Sequence, residues 1–96
     1  NGRAQYPIMG ISVDMNYSGD GAQIAKTAGG VQAGGPAAQA GLKAGDIIIE
    51  IDGRAITSPE ELIVAVRSHS VGEKISVTYK RAGVSKTISL TLAASK

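Results

Sequence analysis

The sequence predicts a small, mostly antiparallel β domain with two helices, one short and one of ordinary length. Two stretches near the C-terminus, KISVTYK at 74–80 and KTISLTL at 86–92, alternate apolar and polar residues, which is typical of strands with one buried face. Upstream of them, a capping pattern precedes apolar residues at helical spacing. With 96 residues, the chain is long enough for one domain with one small core.

The first half of the chain predicts short strands joined by glycine-rich turns. IMGISVDM, residues 8–15, alternates as a strand with Ile11, Val13 and Met15 on one face. PAAQAGLKAGD, residues 36–46, begins with proline at a helix-start position and meets a C-capping Gly41 after one or two turns. Between these two segments we predict a turn at 16–21, a weak strand at 22–27 and a loop at 28–36.

The second half contains the best-marked helix. DIIIEIDG, residues 46–53, predicts a strand that ends in an Asp-Gly hairpin turn. Ser58, Pro59 and Glu61 then form a capping box with proline at the first helical position. The helix that follows is predicted to place Leu62, Val66 and His69 on one face, to end at Gly72, and to precede two strands joined by a loop at 81–85.

Composition limits the classes of protein to which the chain can belong. The chain has no cysteine, Trp or Phe, so disulfides are excluded and the core must be aliphatic. No apolar run approaches the ~20 residues of a transmembrane helix, so we expect no membrane insertion. The net charge of +2 gives no electrostatic footprint for nucleic acid. We expect the basic residues near the last hairpin to be solvated: Lys74, Lys80, Arg81 and Lys86.

Gly10 stands inside an apolar run, where glycine costs entropy and packs nothing. If Ile8, Met9, Gly10 and Ile11 form a tight turn into a strand, the amides of the last three converge into a nest suited to a carboxylate. The strand that follows would keep a free edge. A partner peptide would then add to that edge as an extra strand, with main-chain hydrogen bonds supplying affinity.

The same argument predicts an apolar pocket for the last side chain of such a peptide. One wall would come from the first strand and the other from the capped helix, and Arg3 would attract the carboxylate at long range. The predicted peptide-binding residues are therefore Ile8, Met9, Gly10, Ile11, Ser12, Val13, Leu62, Ile63, Val66 and Arg3.

The sequence patterns that could indicate a catalytic or metal site are weak. His69 is the only histidine, no G-x-S-x-G motif surrounds any serine, and a structural role at the end of the helix is the better interpretation of this histidine. A serine–lysine dyad stays open, although no pattern indicates one. Residues 14–25 resemble a calcium loop in their early positions, but Ala25 stands where the bidentate carboxylate is needed. We predict no catalytic residue, no metal site and no cofactor.

Three features together resemble the PDZ domain family. They are the apolar–glycine–apolar motif at 9–11, the stretch GGPAAQAGLKAGDIIIEIDGRAI at 34–56, and a capped helix followed by VGEKISVTYKRAG at 71–83. The middle stretch is the most specific, and the resemblance covers essentially residues 6–92. The order of elements is similar to the circularly permuted bacterial type, in which the peptide-binding strand comes first. GRAQYPIMGI, at 2–11, further resembles the join between the protease and PDZ domains of HtrA-type serine proteases.

The resemblance implies a small antiparallel β barrel or sandwich at 6–93, with a linker remnant at 1–5 and a C-terminal tail at 94–96. It implies that Ile8 to Ile11 bind a carboxylate, that Ile11 to Val13 pair with the peptide, and that 59–69 is the groove helix. It also implies a parent serine protease located in the cell envelope, in the periplasm or outside the cell. Because the chain begins without Met, we expect it to be a fragment of that protein.

Two functional hypotheses follow. The first is a non-catalytic module that binds proteins or peptides with an apolar C-terminal residue, or exposed apolar segments, and regulates or feeds the protease domain. The motif G-N-S-G-G is absent from the chain, so we expect no hydrolysis by this domain. The alternative is an assembly module, in which the same edge and groove dock another domain of the parent protein.

Overall fold

The computed structural model describes residues 7–19, 21–26 and 30–94, and within these ranges it contains seven strands and two helices. In chain order the elements are β1 (Pro7–Ile8), β2 (Ala22–Gln23), α1 (Pro36–Ala40), β3 (Ile47–Ile51), β4 (Arg54–Ala55), α2 (Pro59–Arg67), β5 (Lys74–Arg81), β6 (Val84–Thr91) and β7 (Ala93–Ala94). The predicted fold class, mostly β with two helices and antiparallel pairing, is confirmed.

The strands form one main sheet and one small pair. The main sheet has the order β2-β3-β5-β6, with β4 also paired to β3, and the pairings are antiparallel. The second pair joins β1 to β7, so Pro7 lies opposite Ala94, the first residue of the predicted tail. The two ends of the described chain therefore lie side by side, close to the segment that contains Gly10.

The core is mainly aliphatic, as the composition predicts, but Tyr79 and Met9 also belong to it. On β5, Ile75, Val77 and Tyr79 are buried and alternate with exposed or half-buried residues, so the predicted one-sided alternation is confirmed. These side chains pack with Leu62 of α2 and with buried isoleucines such as Ile48 in a single cluster. Neither helix of the described chain has the length and apolar character that a membrane span requires.

Local capping signals explain where both helices begin or end. Gly41 closes α1 with a left-handed φ of 100°, and its amide donates to the carbonyls of Ala37 and Ala38. The hydroxyl of Ser58 accepts a hydrogen bond from the Glu61 amide at the start of α2, as predicted, whereas the Glu61 carboxylate accepts from the amide and hydroxyl of Thr57, the residue before the cap. Because α2 ends at Arg67, the expectation that the helix extends through His69 to Gly72 is wrong.

Two strand predictions are also wrong in detail. Residues 8–15 do not form one strand, because Gly10 adopts a φ of +80° and the chain turns there. Beyond this turn, Ile11 and Val13 make isolated bridges. The last hairpin has a two-residue turn rather than a loop at 81–85, since Ala82 accepts a left-handed φ of 53° and the strands extend to meet it.

Arg81 is not a solvated residue of a basic cluster. Its Nε and Nη2 atoms donate to the two carboxylate oxygens of buried Asp46 at 2.9 and 2.7 Å, and Nη2 also donates to the Gly41 carbonyl at 2.9 Å. Burial acts to raise the pKa of Asp46, but hydrogen bonds from Arg81 and from the Lys43 amide outweigh it and hold this pKa below its usual value. The ion pair therefore fastens β5 to the loop after α1.

Candidate peptide-binding site

An open cavity of about 650 Å³ lies between the segment that follows β1 and one face of α2. Its volume is in the range of small-ligand pockets. The residues that line it are Pro7, Ile8, Met9, Gly10, Ile11, Ser12, Val13, Val31, Gln32, Ala33, Leu62, Ile63, Val66 and Arg67.

Hydrogen bonds to the carbonyls around Gly10 orient the amides of the same peptide groups. The Met9 carbonyl accepts from the Ala37 amide at 2.8 Å, and the Gly10 carbonyl accepts from the Gln32 amide at 2.7 Å. These peptide bonds are trans, so each N–H points opposite to its C=O. The amides of Gly10 and Ile11 therefore point away from α1 and the Gln32 loop. Within the described ranges, neither amide has a backbone acceptor.

From Ile11 to Asp14, backbone amides that donate within the fold alternate with amides that have no backbone acceptor among the described residues. The Ser12 amide donates to the Gly30 carbonyl at 2.8 Å, and the Asp14 amide donates to the Gln23 carbonyl at 2.9 Å. In an extended chain, the groups of the intervening residues face the opposite edge. The N–H and C=O groups of Ile11 and Val13 thus form an edge for which the described residues supply no backbone partner.

Gly10 has both the backbone freedom and the small size that this turn requires. Its φ of +80° lies in the left-handed region, where a side chain adds strain. A Cβ on Gly10 would also lie 3.1 Å from Cδ of Pro36 and 3.5 Å from Cα of Gly35. The close approach that this glycine permits is therefore, within the fold, an approach by the start of α1.

The wall formed by α2 is apolar and differs in exposure along its length. Leu62 and Val66 are only 1% and 8% exposed and belong to the core, whereas Ile63 is 39% exposed. On the opposite wall, Ile11 and Val13 are half-buried and pack against the core. An apolar side chain that enters the cavity would thus meet aliphatic groups on both sides.

The cavity has one charged residue in its described lining, Arg67, near the end of α2. Its guanidinium adds a positive charge to the cavity lining. His69, two residues further on, lies outside the lining, and its Nδ1 atom is 2.9 Å from the Glu73 carboxylate.

The structure brings the predicted site residues together around this cavity, with the exception of Arg3, which lies outside the described residues. Their role in binding stays a prediction. Sequence reasoning missed Pro7, Val31, Gln32, Ala33 and Arg67. The residues from Val31 to Ala33 fall in a predicted loop, and no local signal places that loop beside Gly10.

Comparisons with known proteins identify the family of this chain. The profile of the PDZ domain family matches residues 7–92. The chain is 39% identical, over 106 aligned positions, to the serine protease Do-like HtrA of Lactococcus lactis subsp. cremoris, and the match covers 99% of this chain and 26% of that protein. It is 40% identical over 60 residues to a probable periplasmic serine endoprotease, DegP-like, of Brucella suis, covering 62% of this chain and 12% of that protein.

A solved structure adds the same result at the level of the fold. The serine endoprotease from Yersinia pestis superposes with a TM-score of 0.80 at 30% identity, covering 100% of this chain and 32% of that one. The chain thus spans about a quarter of the Lactococcus protein and about a third of the Yersinia chain. The resemblance to the PDZ domains of HtrA-type proteases is confirmed, and the chain belongs to the PDZ domain family.

Proposed function

We propose that this chain is a non-catalytic peptide-binding module that takes up chain ends with an apolar last residue, or exposed apolar segments, by strand addition. The observation that carries the proposal is the run of backbone groups without described partners at Gly10, Ile11 and Val13, beside an apolar cavity. PDZ domains are an established example of recognition by strand addition.

The free edge supplies the affinity in this proposal. A peptide that lies between Val13 and α2 would exchange main-chain hydrogen bonds with the N–H and C=O groups of Ile11 and Val13. Desolvated backbone groups cost free energy when they are left unpaired, so the edge favours a partner that presents its own donors and acceptors in register.

The turn at Gly10 supplies the preference for a chain end. Two successive amides, those of Gly10 and Ile11, are oriented toward the side opposite α1, as in anion-binding nests. A terminal carboxylate satisfies both donors, and Arg67 adds positive potential in the lining. The last side chain of the peptide would then lie between Ile11 and Ile63.

The wider role rests on the relatives. We infer that the domain, at residues 6–93, is one part of an HtrA-type serine protease and that it delivers or senses peptides for the protease domain. One relative is named a periplasmic enzyme, which supports a location in the cell envelope.

Titration of a fluorescent peptide tests the proposal. A short peptide that ends in valine should bind with micromolar affinity, about −8 kcal/mol, and the same peptide ending in lysine should bind much more weakly. If the two peptides bind equally, the apolar pocket does not select the last residue.

The assembly hypothesis makes a different prediction for the same edge. If the groove docks another domain of the parent protein, sedimentation of this domain with the protease domain should show a stable complex. On this hypothesis soluble peptides are weak ligands of the groove, so an excess of the valine peptide should fail to dissociate the complex.

A further inference from the structure

A second cluster of polar side chains lies outside the groove, where three elements meet. Asp52 is in the turn between β3 and β4, His69 follows the C-terminal end of α2, and Glu73 immediately precedes β5. One ligand-type atom from each residue can be chosen so that the three lie within 4.8 Å of one another.

Both carboxylates are held in place by backbone amides. Oδ1 of Asp52 accepts from the Ser76 amide at 2.7 Å, and Oε1 of Glu73 accepts from the Ser70 amide at 2.9 Å. The second oxygen of each carboxylate lies near a ring nitrogen of His69. Oδ2 of Asp52 is 3.6 Å from Nε2, and Oε2 of Glu73 is 2.9 Å from Nδ1. The orientation of both carboxylates is therefore fixed by backbone amides of residues that are not members of the cluster.

The contact with Glu73 determines which ring nitrogen carries the proton. Glu73 is exposed, and an exposed glutamate is a carboxylate at neutral pH, which can only accept hydrogen bonds. Nδ1 of His69 must then be the donor across the 2.9 Å contact. In the neutral imidazole, Nε2 is left with a lone pair.

A second acceptor lies close to this nitrogen. Nε2 lies 3.6 Å from Oδ2 of Asp52, which is longer than a hydrogen bond. When the imidazole is neutral, these two atoms are both acceptors and repel each other, and a cation bound to both removes the repulsion. In Zn²⁺ sites the metal–nitrogen and metal–oxygen distances are both about 2 Å, which places two ligands on one ion about 3 to 3.6 Å apart. The observed gap matches that separation.

We propose that Nε2 of His69 and Oδ2 of Asp52 bind a divalent transition-metal ion of the zinc class, with Glu73 orienting the imidazole. A carboxylate that accepts from the other ring nitrogen of a metal-binding histidine is a common supporting arrangement, because it fixes the tautomer and makes the ligand more basic. Waters complete the coordination. The ion would fasten the end of α2 to the β3–β4 turn.

Calorimetric titration of the domain with zinc chloride tests this proposal, with magnesium chloride as the comparison because Mg²⁺ prefers oxygen ligands. The most informative variant is Asp52→Asn. It removes the ligand oxygen, retains an oxygen for the Ser76 amide, and suits the left-handed φ of 51° at this position. His69→Ala removes the nitrogen, and Asp14→Asn is the matched control, since Asp14 also accepts from a backbone amide but lies outside the cluster.

We expect one zinc ion to bind and the ¹⁵N shift of Nε2 to change on binding. Asp52→Asn and His69→Ala should each weaken zinc binding at least about tenfold, Glu73→Gln by about tenfold, and Asp14→Asn should bind as the wild type does. Zinc affinity that is the same in the wild type and in Asp52→Asn would overturn the assignment, as would the absence of any zinc binding. Either result would leave peptide binding in the groove untouched.

Discussion

Cδ of Pro36 lies 3.1 Å from the point that a Cβ on Gly10 would occupy. The contact joins the start of α1 to the turn that begins the candidate binding edge. It is reinforced by hydrogen bonds from the Ala37 and Gln32 amides to the carbonyls on either side of the turn. The orientation of the two outward amides is therefore set by the packing of α1 and the loop before it, and changes at this contact should affect both stability and binding.

Gly10→Ala should destabilise the domain more than Gly34→Ala. Both glycines have a left-handed φ, +80° and +76°, so each substitution costs about 1–2 kcal/mol of backbone strain. Only at Gly10 does the added methyl group meet a neighbour, since Gly34 has nothing within 4 Å. Overpacking should add about 1 kcal/mol or more at Gly10. Urea unfolding of the two variants measures the difference, and equal free energies of unfolding would show that the Pro36 contact is not constraining.

Ile63→Ala should weaken peptide binding, whereas Val64→Ala should not. The two residues are neighbours on α2 and are 39% and 55% exposed, but only Ile63 lines the cavity. Truncation of Ile63 removes apolar contact area worth about 1 kcal/mol, or roughly fivefold in affinity. Fluorescence titration with the valine-terminated peptide measures this. Equal affinities for the two variants would place the peptide elsewhere.

Ile63 is a cleaner test position than Val66. Because Val66 is only 8% exposed and packs in the core, a bulky residue there would fill the pocket and also strain the fold. Loss of affinity in such a variant would have two causes that a binding measurement does not separate.

Arg81→Met should reduce the stability of the domain at neutral pH, and this effect should fade in acid. The pKa of Asp46 is lowered from 3.8, so its carboxylate form stabilises the folded state above that pH. The contribution is lost as the pH falls through the lower pKa of the folded state. Thermal unfolding from neutral pH to below pH 3.8 should therefore show the wild type and Arg81→Met converging.

Lys80→Met is the matched control for that experiment. It removes a cation from the adjacent, exposed position on β5, which has no ion pair among the described residues. If Lys80→Met gives the same pH-dependent loss as Arg81→Met, general charge rather than the Asp46 ion pair is responsible.

Features that depend on local sequence were predictable. The alternation on β5 follows from a period of two on a strand with one buried face, and the start of α2 follows from Ser58 and Glu61, which are three residues apart. The end of α1 at Gly41 is equally local. These elements required no knowledge of distant partners.

Features that depend on distant partners were not predictable. Ile11 pairs with Val31, a residue from a glycine-rich loop, and the alternation at 8–15 gives no sign of this distant partner. Asp46 and Arg81 are 35 positions apart, and either residue alone reads as a polar surface residue. The loop at 31–33 lines the cavity through contacts with residues distant in sequence, so the sequence alone did not predict this lining.

The most direct test of the binding account compares a free-acid peptide with its C-terminal amide while amide ¹H–¹⁵N shifts of the domain are recorded. We predict that the free acid shifts the amides of Gly10, Ile11 and Val13, with micromolar affinity, and that amidation weakens binding at least about tenfold because charge-assisted hydrogen bonds are the stronger ones. Equal binding of the two peptides, or shifts confined to residues away from this edge, would contradict the account.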